Sequence, residues 1–307
     1  MTGATTAAGG QQTNAGIWAV VVACNRPAEL ERLLAAIAAQ SVAVDRVLVI
    51  DNGTNPLVAQ VAAARSAQYH RSLRNMGGAG GFALGMLLAL AGGARTLWLW
   101  DDDGWPEGED CLERLLGCMA ATGGAIVAPL LISADAPGRA AFGYRLNGRT
   151  TFSRAALQQR PLLHGMAHLF NGTVVPATTA DRFGIPDIRL FIRGDEVDFL
   201  YRVLAGGGIV ATVTAAVARH PSAEAETHSL LGGRIFAVHP ADPMRRAMLF
   251  RNRGYLFRRH RRWGFLALDH VRYTLFFIVR RRPDLAGFRA WLRQTWRGVG
   301  EKLGPPP

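Results

Sequence analysis

Three aspartates stand side by side, Asp101-Asp102-Asp103, directly after the apolar run Thr96–Trp100. Adjacent carboxylates repel one another unless a cation lies among them. In an extended turn the first and third point the same way, so Asp101 and Asp103 can face one hard divalent ion. Such an ion can also hold the two phosphates of a leaving nucleoside diphosphate. The competing reading is a solvated acidic turn. A place at a strand end, beside a glycine-rich stretch, favours the ion.

That stretch is Asn75-Met76-Gly77-Gly78-Ala79-Gly80-Gly81-Phe82. It has no GK[ST] ending, and it follows the third strand rather than the first, so neither common phosphate-loop pattern fits. Tight helix–strand packing and close approach to a nucleotide both stay open for it. A second acidic group, Asp195-Glu196-Val197-Asp198, follows Gly194. A carboxylate there can act as general base for a hydroxyl nucleophile, and Asp195 also suits a helix N-terminus. His220 lies further on; a lone histidine is usually structural and becomes a metal ligand only in company.

The elements that must position these residues can be read from apolar periodicity. Strands are expected at Ile17–Ala23, Arg46–Ile50, 68–72 and Thr96–Trp100, with helices from Pro27 to about Gln40, at 56–66 and at 82–92. Leu30, Leu33, Leu34 and Ile37 share the buried face of the first helix. Alternating strands and helices predict an α/β fold with a mostly parallel sheet flanked by helices. Such sheets bind ligands at the carboxyl ends of their strands, where Asp51, the glycine stretch and the aspartate triplet all fall. Short strands are expected at Ala125–Pro129, Leu169–Val175 and 208–214, around a basic, irregular insert at 138–165. Beyond about residue 243 the pattern is helical.

Bulk composition narrows the partners. The chain has 307 residues, with 35 basic against 23 acidic ones, and all the basic residues but Lys302 are arginine. Residues 251–307 hold thirteen arginines and Lys302 against Asp269, Asp284 and Glu301, which is +11 of the total +12. The body is therefore near neutral and the C-terminal piece strongly basic. Cys24, Cys111 and Cys118 make no disulfide framework and no metal spacing, which points to a reducing compartment. Residues 1–15 read as a disordered leader without the features of a signal peptide. The most apolar window, 263–279, carries Asp269, His270 and Arg272, so it is expected to be buried or interfacial rather than membrane-spanning.

Taken together, the motifs resemble an inverting, GT-A-fold glycosyltransferase of family 2. The carriers are CNRP, DNG, RNMGGAGGF, DDD, GDEVDF and the later His220-Pro221. RNMGGAGGFALGM, LFIRGDEVDF and FRNRGY bring the resemblance closer to the initiating galactofuranosyltransferases of mycobacterial arabinogalactan synthesis, and it runs from about residue 17 to 302. The resemblance implies that Asp101 and Asp103, joined by His220, hold Mn²⁺ or Mg²⁺ against a UDP diphosphate, with Asp102 between them. It places Asp51 and Asn75 at the uridine and ribose, with Arg26, Gly77 and Gly78 also at the nucleotide sugar. Glu196 takes the place of the base beside Asp195, supported by Asp198 and Arg202. UDP-galactofuranose is the implied donor and a rhamnosyl-N-acetylglucosaminyl-diphospho-polyprenol the acceptor. A rhamnosyltransferase using dTDP-rhamnose and a catalytically silent nucleotide-sugar-binding subunit are the alternatives.

The expected organisation is a catalytic domain at 16–222 and a basic helical region at 223–307. For that region, arginines interleaved with aromatics favour an anionic membrane surface, at the cytoplasmic face, over nucleic acid or plain core packing. No nucleic-acid motif is present. Self-association through the apolar faces is compatible with this arrangement.

Overall fold

The computed structural model describes residues 16–304; the leader expected at 1–15 lies outside the described residues. Strand β1 (Ile17–Ala23) is buried along its whole length, as its unbroken apolar sequence requires. Helix α1 (Pro27–Ala38) opens on Pro27, whose fixed φ suits a first turn, and buries Leu30, Leu33, Leu34 and Ile37. Then follow β2 (Arg46–Asp51), α2 (Leu57–Ala64), β3 (Gln68–Arg71), α3 (Gly77–Ala91) and β4 (Thr96–Asp101). These four strands are parallel, in the order β3-β2-β1-β4. Register pairs Ala23 with Asp51 and Val22 with Asp101, so the acids at the ends of β2 and β4 flank the end of β1.

The sheet continues through β5 (Trp105–Glu107), α4 (Cys111–Thr122) and β6 (Ile126–Ser133). The insert expected to be irregular is ordered: β7 (Arg139–Leu146) and β8 (Arg149–Ser153) form a hairpin on β6, followed by α5 (Arg154–Gln158) and β9 (Leu162–His164). The buried Tyr144 anchors this hairpin, its hydroxyl accepting from Leu131 N at 3.0 Å. Next come β10 (Asn171–Pro176), α6 (Ala177–Phe183), α7 (Asp195–Ala205) and β11 (Val210–His220). Strand β10 runs antiparallel between β4 and β6. Strand β11 is longer than expected, because a register shift between Val213 and Val217 lets it continue along β6 to His220.

The C-terminal part opens with a hairpin of β12 (Thr227–Leu230) and β13 (Ile235–Val238), which the sequence reading did not anticipate. Helices α8 (Pro243–Arg259), α9 (Trp263–Thr274) and α10 (Leu285–Val299) follow, with a π turn at Leu275–Arg280. Among the described residues no helix is long and apolar enough to cross a membrane. Asp269, in the most apolar window, is buried and held by Arg253 at 2.7 Å and by Arg272. Helices α8 and α10 meet at Gly254 and Gly298: a Cβ on either would lie about 2 Å or less from the partner helix's backbone (2.1 and 1.8 Å).

Helix α3 begins inside the glycine stretch rather than after it. Glycine is a poor helix former, so tertiary packing carries this start. A Cβ on Gly81 would sit 2.6 Å from Val22 Cγ1, and one on Gly85 2.4 Å from Val20 Cγ1. Mid-helix Gly→Ala ordinarily stabilises by up to about 1 kcal/mol. Gly85→Ala is instead expected to destabilise by about 1–3 kcal/mol, because the methyl overpacks the sheet face. A thermal melt checks it, and a raised melting temperature would contradict this packing.

Candidate active site

The carboxyl ends of β1, β2 and β4 converge on one edge of the sheet. Along the triplet, side-chain exposure alternates: 41% for Asp101, 0% for Asp102 and 17% for Asp103. Asp101 and Asp103 thus open to the cleft, while Asp102 turns inward. There its Oδ2 accepts from Cys24 N at 2.8 Å and braces the turn after β1. The cation among the three is Arg26: its guanidinium pairs with Asp102 and Asp103, and with Asp101 at 3.3 Å. Burial pushes Asp102 upward, with the Asp101 charge adding to it. For Asp103 burial acts in the same sense, but His220 and Arg26 outweigh it and hold the carboxyl below its ordinary value.

His220 ends β11. Its Nδ1 lies 2.6 Å from Pro221 O, and its Nε2 faces Asp103 Oδ1 at 3.2 Å. Adjacent ligands of an octahedral ion with bonds of about 2.1 Å lie about 3 Å apart. Asp103 Oδ1 is buried without an aligned hydrogen bond, and the donor atoms of the three aspartates lie within 4.8 Å of one another. With a guanidinium standing where positive charge is needed, Asp101, Asp103 and His220 fit a hard divalent cation. Phe142 lies 4.9 Å from the His220 ring and 4.8 Å from His168. Burial pushes His168 down to about 4, and it serves as part of an aromatic backing behind His220.

Asp51 is buried at the end of β2, and both its oxygens are engaged. Oδ1 accepts from Gly53 N at 2.8 Å and Oδ2 from the Tyr69 hydroxyl at 2.7 Å. Sequence reasoning missed Tyr69; parallel pairing of β2 with β3 brings it there, and nothing local signals it. Asn75 is exposed at the mouth of α3, with Oδ1 accepting from Gly77 N at 2.8 Å. Gly77 is buried with φ +66°, and a Cβ there would lie 2.0 Å from Phe191 O. Gly78 is different: a Cβ would meet only Asp195 Oδ2, at 4.0 Å. The glycine stretch therefore divides, with Gly77, Gly81 and Gly85 serving packing and Gly78 facing the second acid group.

That group opens α7. Asp195 is buried, and burial and the Glu196 charge push it well above the usual carboxylate range. Glu196 is partly exposed, its Oε2 accepting from Gly194 N at 2.8 Å, and the Gly194 N-cap makes no side-chain capping bond, so Asp195 does not serve as a cap. Asp198 is fully buried and joins α7 to the C-terminal helices. Arg202 Nε lies at 2.9 Å, His260 Nε2 at 2.9 Å and Arg259 Nε at 3.1 Å. Arg202 also donates to Ile185 O at 2.7 Å.

The segment before the acids is bent, with Phe191, Arg193 and Gly194 all at positive φ. Two buried residues of the FRNRGY motif hold it. Asn252 Nδ2 lies 2.8, 3.0 and 2.9 Å from the carbonyls of Leu190, Ile192 and Arg193. Arg251 donates to Asn252 Oδ1 at 2.9 Å and reaches the Arg189 and Leu190 carbonyls at 3.3 Å. The sequence marks the motif but not what it grips, 60 residues away in the chain. Asn252→Ala takes the donor from the part-buried carbonyls of Ile192 and Arg193, while Leu190 O keeps Ile192 N and Arg251. It is expected to cost about 2–3 kcal/mol of stability. Turnover should fall about tenfold or more, with KM for the donor nearly unchanged, in a melt paired with steady-state kinetics. An unaltered kcat would contradict the clamp.

A sheet in this order, with acids at the carboxyl ends of β2 and β4 and a further pair opening α7, is the GT-A fold of sugar-nucleotide transferases. The chain belongs to glycosyltransferase family 2: the sequence model of glycosyl transferase family 2 matches residues 18–172. It is 40% identical over 299 residues to galactofuranosyltransferase GlfT1 of Mycobacterium tuberculosis, spanning 94% of this chain and 97% of that one. The GlfT1 of Mycolicibacterium smegmatis is 40% identical over 295 residues, with the same coverage. Among solved structures, residues 1–349 of S. aureus TarS superpose with a TM-score of 0.57 at 11% identity, over 93% of this chain and 82% of that one. The mannosyltransferase PcManGT from Pyrobaculum calidifontis, in complex with GDP-Man and Mn²⁺, gives 0.53 at 12% identity, over 81% and 64%. At those identities the likeness is one of fold.

Proposed function

We propose that the chain transfers galactofuranose from UDP-galactofuranose to a rhamnosyl-N-acetylglucosaminyl-diphospho-polyprenol, with inversion at the anomeric carbon. The observation that carries this reading is the 40% identity to galactofuranosyltransferases along nearly the whole chain. The two acid groups on one face of the sheet supply the chemistry. Asp51, Asn75 and Gly78 form the nucleotide side, with Tyr69 fixing the Asp51 carboxylate. Arg26, already drawn to the carboxylates, is the nearby cation that can follow the diphosphate. Asp101, Asp103 and His220 would hold Mn²⁺ or Mg²⁺, which when bound neutralises the charge growing on the leaving diphosphate.

Glu196 is the base in this account. Burial and the Glu196 charge make Asp195 hold its proton more tightly than an ordinary carboxylate, and Glu196 is the partly exposed carboxylate within reach of an acceptor hydroxyl. It takes the hydroxyl proton as that oxygen attacks the anomeric carbon from the face opposite UDP. One displacement inverts the centre and needs no covalent intermediate. Asp198, Arg202, Arg251 and Asn252 hold the acids in place. Residues 16–222 form the catalytic part and residues 223–307 the basic part, which rests on the anionic cytoplasmic membrane face that carries the acceptor. A donor panel tests the substrate: UDP-galactofuranose should be used at least about a hundredfold better than dTDP-rhamnose. The reverse preference would move the chain to rhamnosyl transfer.

A further inference from the structure

The β12–β13 hairpin, the start of α8, the π turn and the start of α10 enclose a cleft of ≈ 950 Å³, none of whose walls belongs to the acid groups. Its floor is aromatic: Phe250, Phe276 and Phe277. His228 and His239 lie 5.0 and 5.1 Å from the Phe276 ring. Arg246, Arg280 and Arg281 line the cleft together with a single carboxylate, Asp284. That carboxylate is already engaged, since its Oδ1 accepts from Gly287 N at 2.8 Å, and Arg281 Nε stays 3.8 Å from its other oxygen. Among the described residues Arg246 reaches only the carbonyls of Pro240 and Ala241, at 2.9 and 3.1 Å. Positive charge in the cleft is thus left without a matching anion. The histidines register it: burial, then Arg246 and Arg281, push His239 down to about 4, and burial with Arg280 and Arg281 lowers His228.

The flanking residues are apolar and exposed, Val279 at 69% and Leu285 at 54%. Exposed Trp263, Phe265 and Val271 on α9 extend this character over the same C-terminal part. Arginines over an aromatic floor, beside bare aliphatic side chains, match a phosphate that carries an apolar chain. The π turn in the wall is a backbone irregularity common at binding sites. We propose that this cleft binds the phosphate headgroup of an anionic membrane lipid. The proposal rests on the membrane-facing reading of residues 223–307 and gives it a specific site.

The test is co-sedimentation of the full-length protein with vesicles of phosphatidylcholine alone or mixed with phosphatidylglycerol. Calorimetric titration with inorganic pyrophosphate runs beside it. Arg280→Gln/Arg281→Gln removes two cleft charges; Arg289→Gln/Arg293→Gln removes two exposed charges on α10 that do not line the cleft. The expected result is binding that requires phosphatidylglycerol, weakened about tenfold or more by the cleft pair and less than about threefold by the control pair. Equal losses in the two pairs would overturn the cleft while leaving membrane attachment standing. No sedimentation with either vesicle would overturn both. Pyrophosphate binding without cleft-dependent vesicle binding would make this a site for soluble phosphates and overturn the lipid assignment.

Discussion

Glu196→Gln is expected to lower sugar transfer about 10²–10⁴-fold while leaving UDP binding in place. Asp195→Asn is expected to do much less to turnover, because burial favours the uncharged form of Asp195, which the amide mimics. The two variants should also separate on stability. The folded-state value of Asp195 is raised by burial and by the Glu196 charge. As pH rises through the ordinary carboxylate range, the unfolded chain therefore releases its proton first, and the folded state loses stability. Each pH unit over which the two states differ by one proton costs about 1.4 kcal/mol. Asp195→Asn removes that cost, so its melting temperature should exceed wild type near neutrality, and the gap should close toward pH 4. An Asp195→Asn enzyme that is dead beside an active Glu196→Gln enzyme would exchange the roles of the two acids.

The second large effect is at the triplet. Asp103→Ala should reduce transfer about 10³-fold and keep the fold, because Asp103 faces the cleft and His220 rather than bracing a turn. Excess EDTA should have a comparable effect on the wild-type enzyme. Asp102→Ala is expected to act differently. It removes the acceptor for Cys24 N and the buried partner of Arg26, and should appear first as a loss of stability, on the order of 1–3 kcal/mol. Full activity in EDTA would remove the metal from the account, and a melted Asp103→Ala protein would make the triplet a folding element.

What could be read in advance follows from where the determining forces lie. Strands β1, β2 and β4 are apolar runs, the last two ending in acids, and each is buried for reasons contained in its own residues. Asp51 and the triplet sit at such ends, so their convergence follows from strand order, whereas the acids of α7 open a helix and are placed by tertiary packing. The second half of the sheet depends on pairing between distant segments. The β7–β8 hairpin has a mixed, basic sequence and is held by Tyr144 reaching back to β6, which no local pattern encodes. The extension of β11 to His220 relies on a register shift against β6. Helix α3 starts on glycines that propensity alone excludes from a helix, since the reward is contact with Val20, Val22 and Phe191. The family resemblance puts Arg26 near the nucleotide, yet its side chain lies among the aspartates. Asn252 and Arg251 belong to a motif that was visible, but their grip on the acid-bearing loop is a property of the folded chain.

The most direct measurement is mass spectrometry of a rhamnosyl-N-acetylglucosaminyl-diphospholipid acceptor after incubation with UDP-galactofuranose, Mn²⁺ or Mg²⁺ and the full-length enzyme. The expected product is heavier by one or more hexose units and is absent with Glu196→Gln and with Asp103→Ala. An unchanged acceptor in the presence of the wild-type enzyme, or the same product from Glu196→Gln at an undiminished rate, would contradict it.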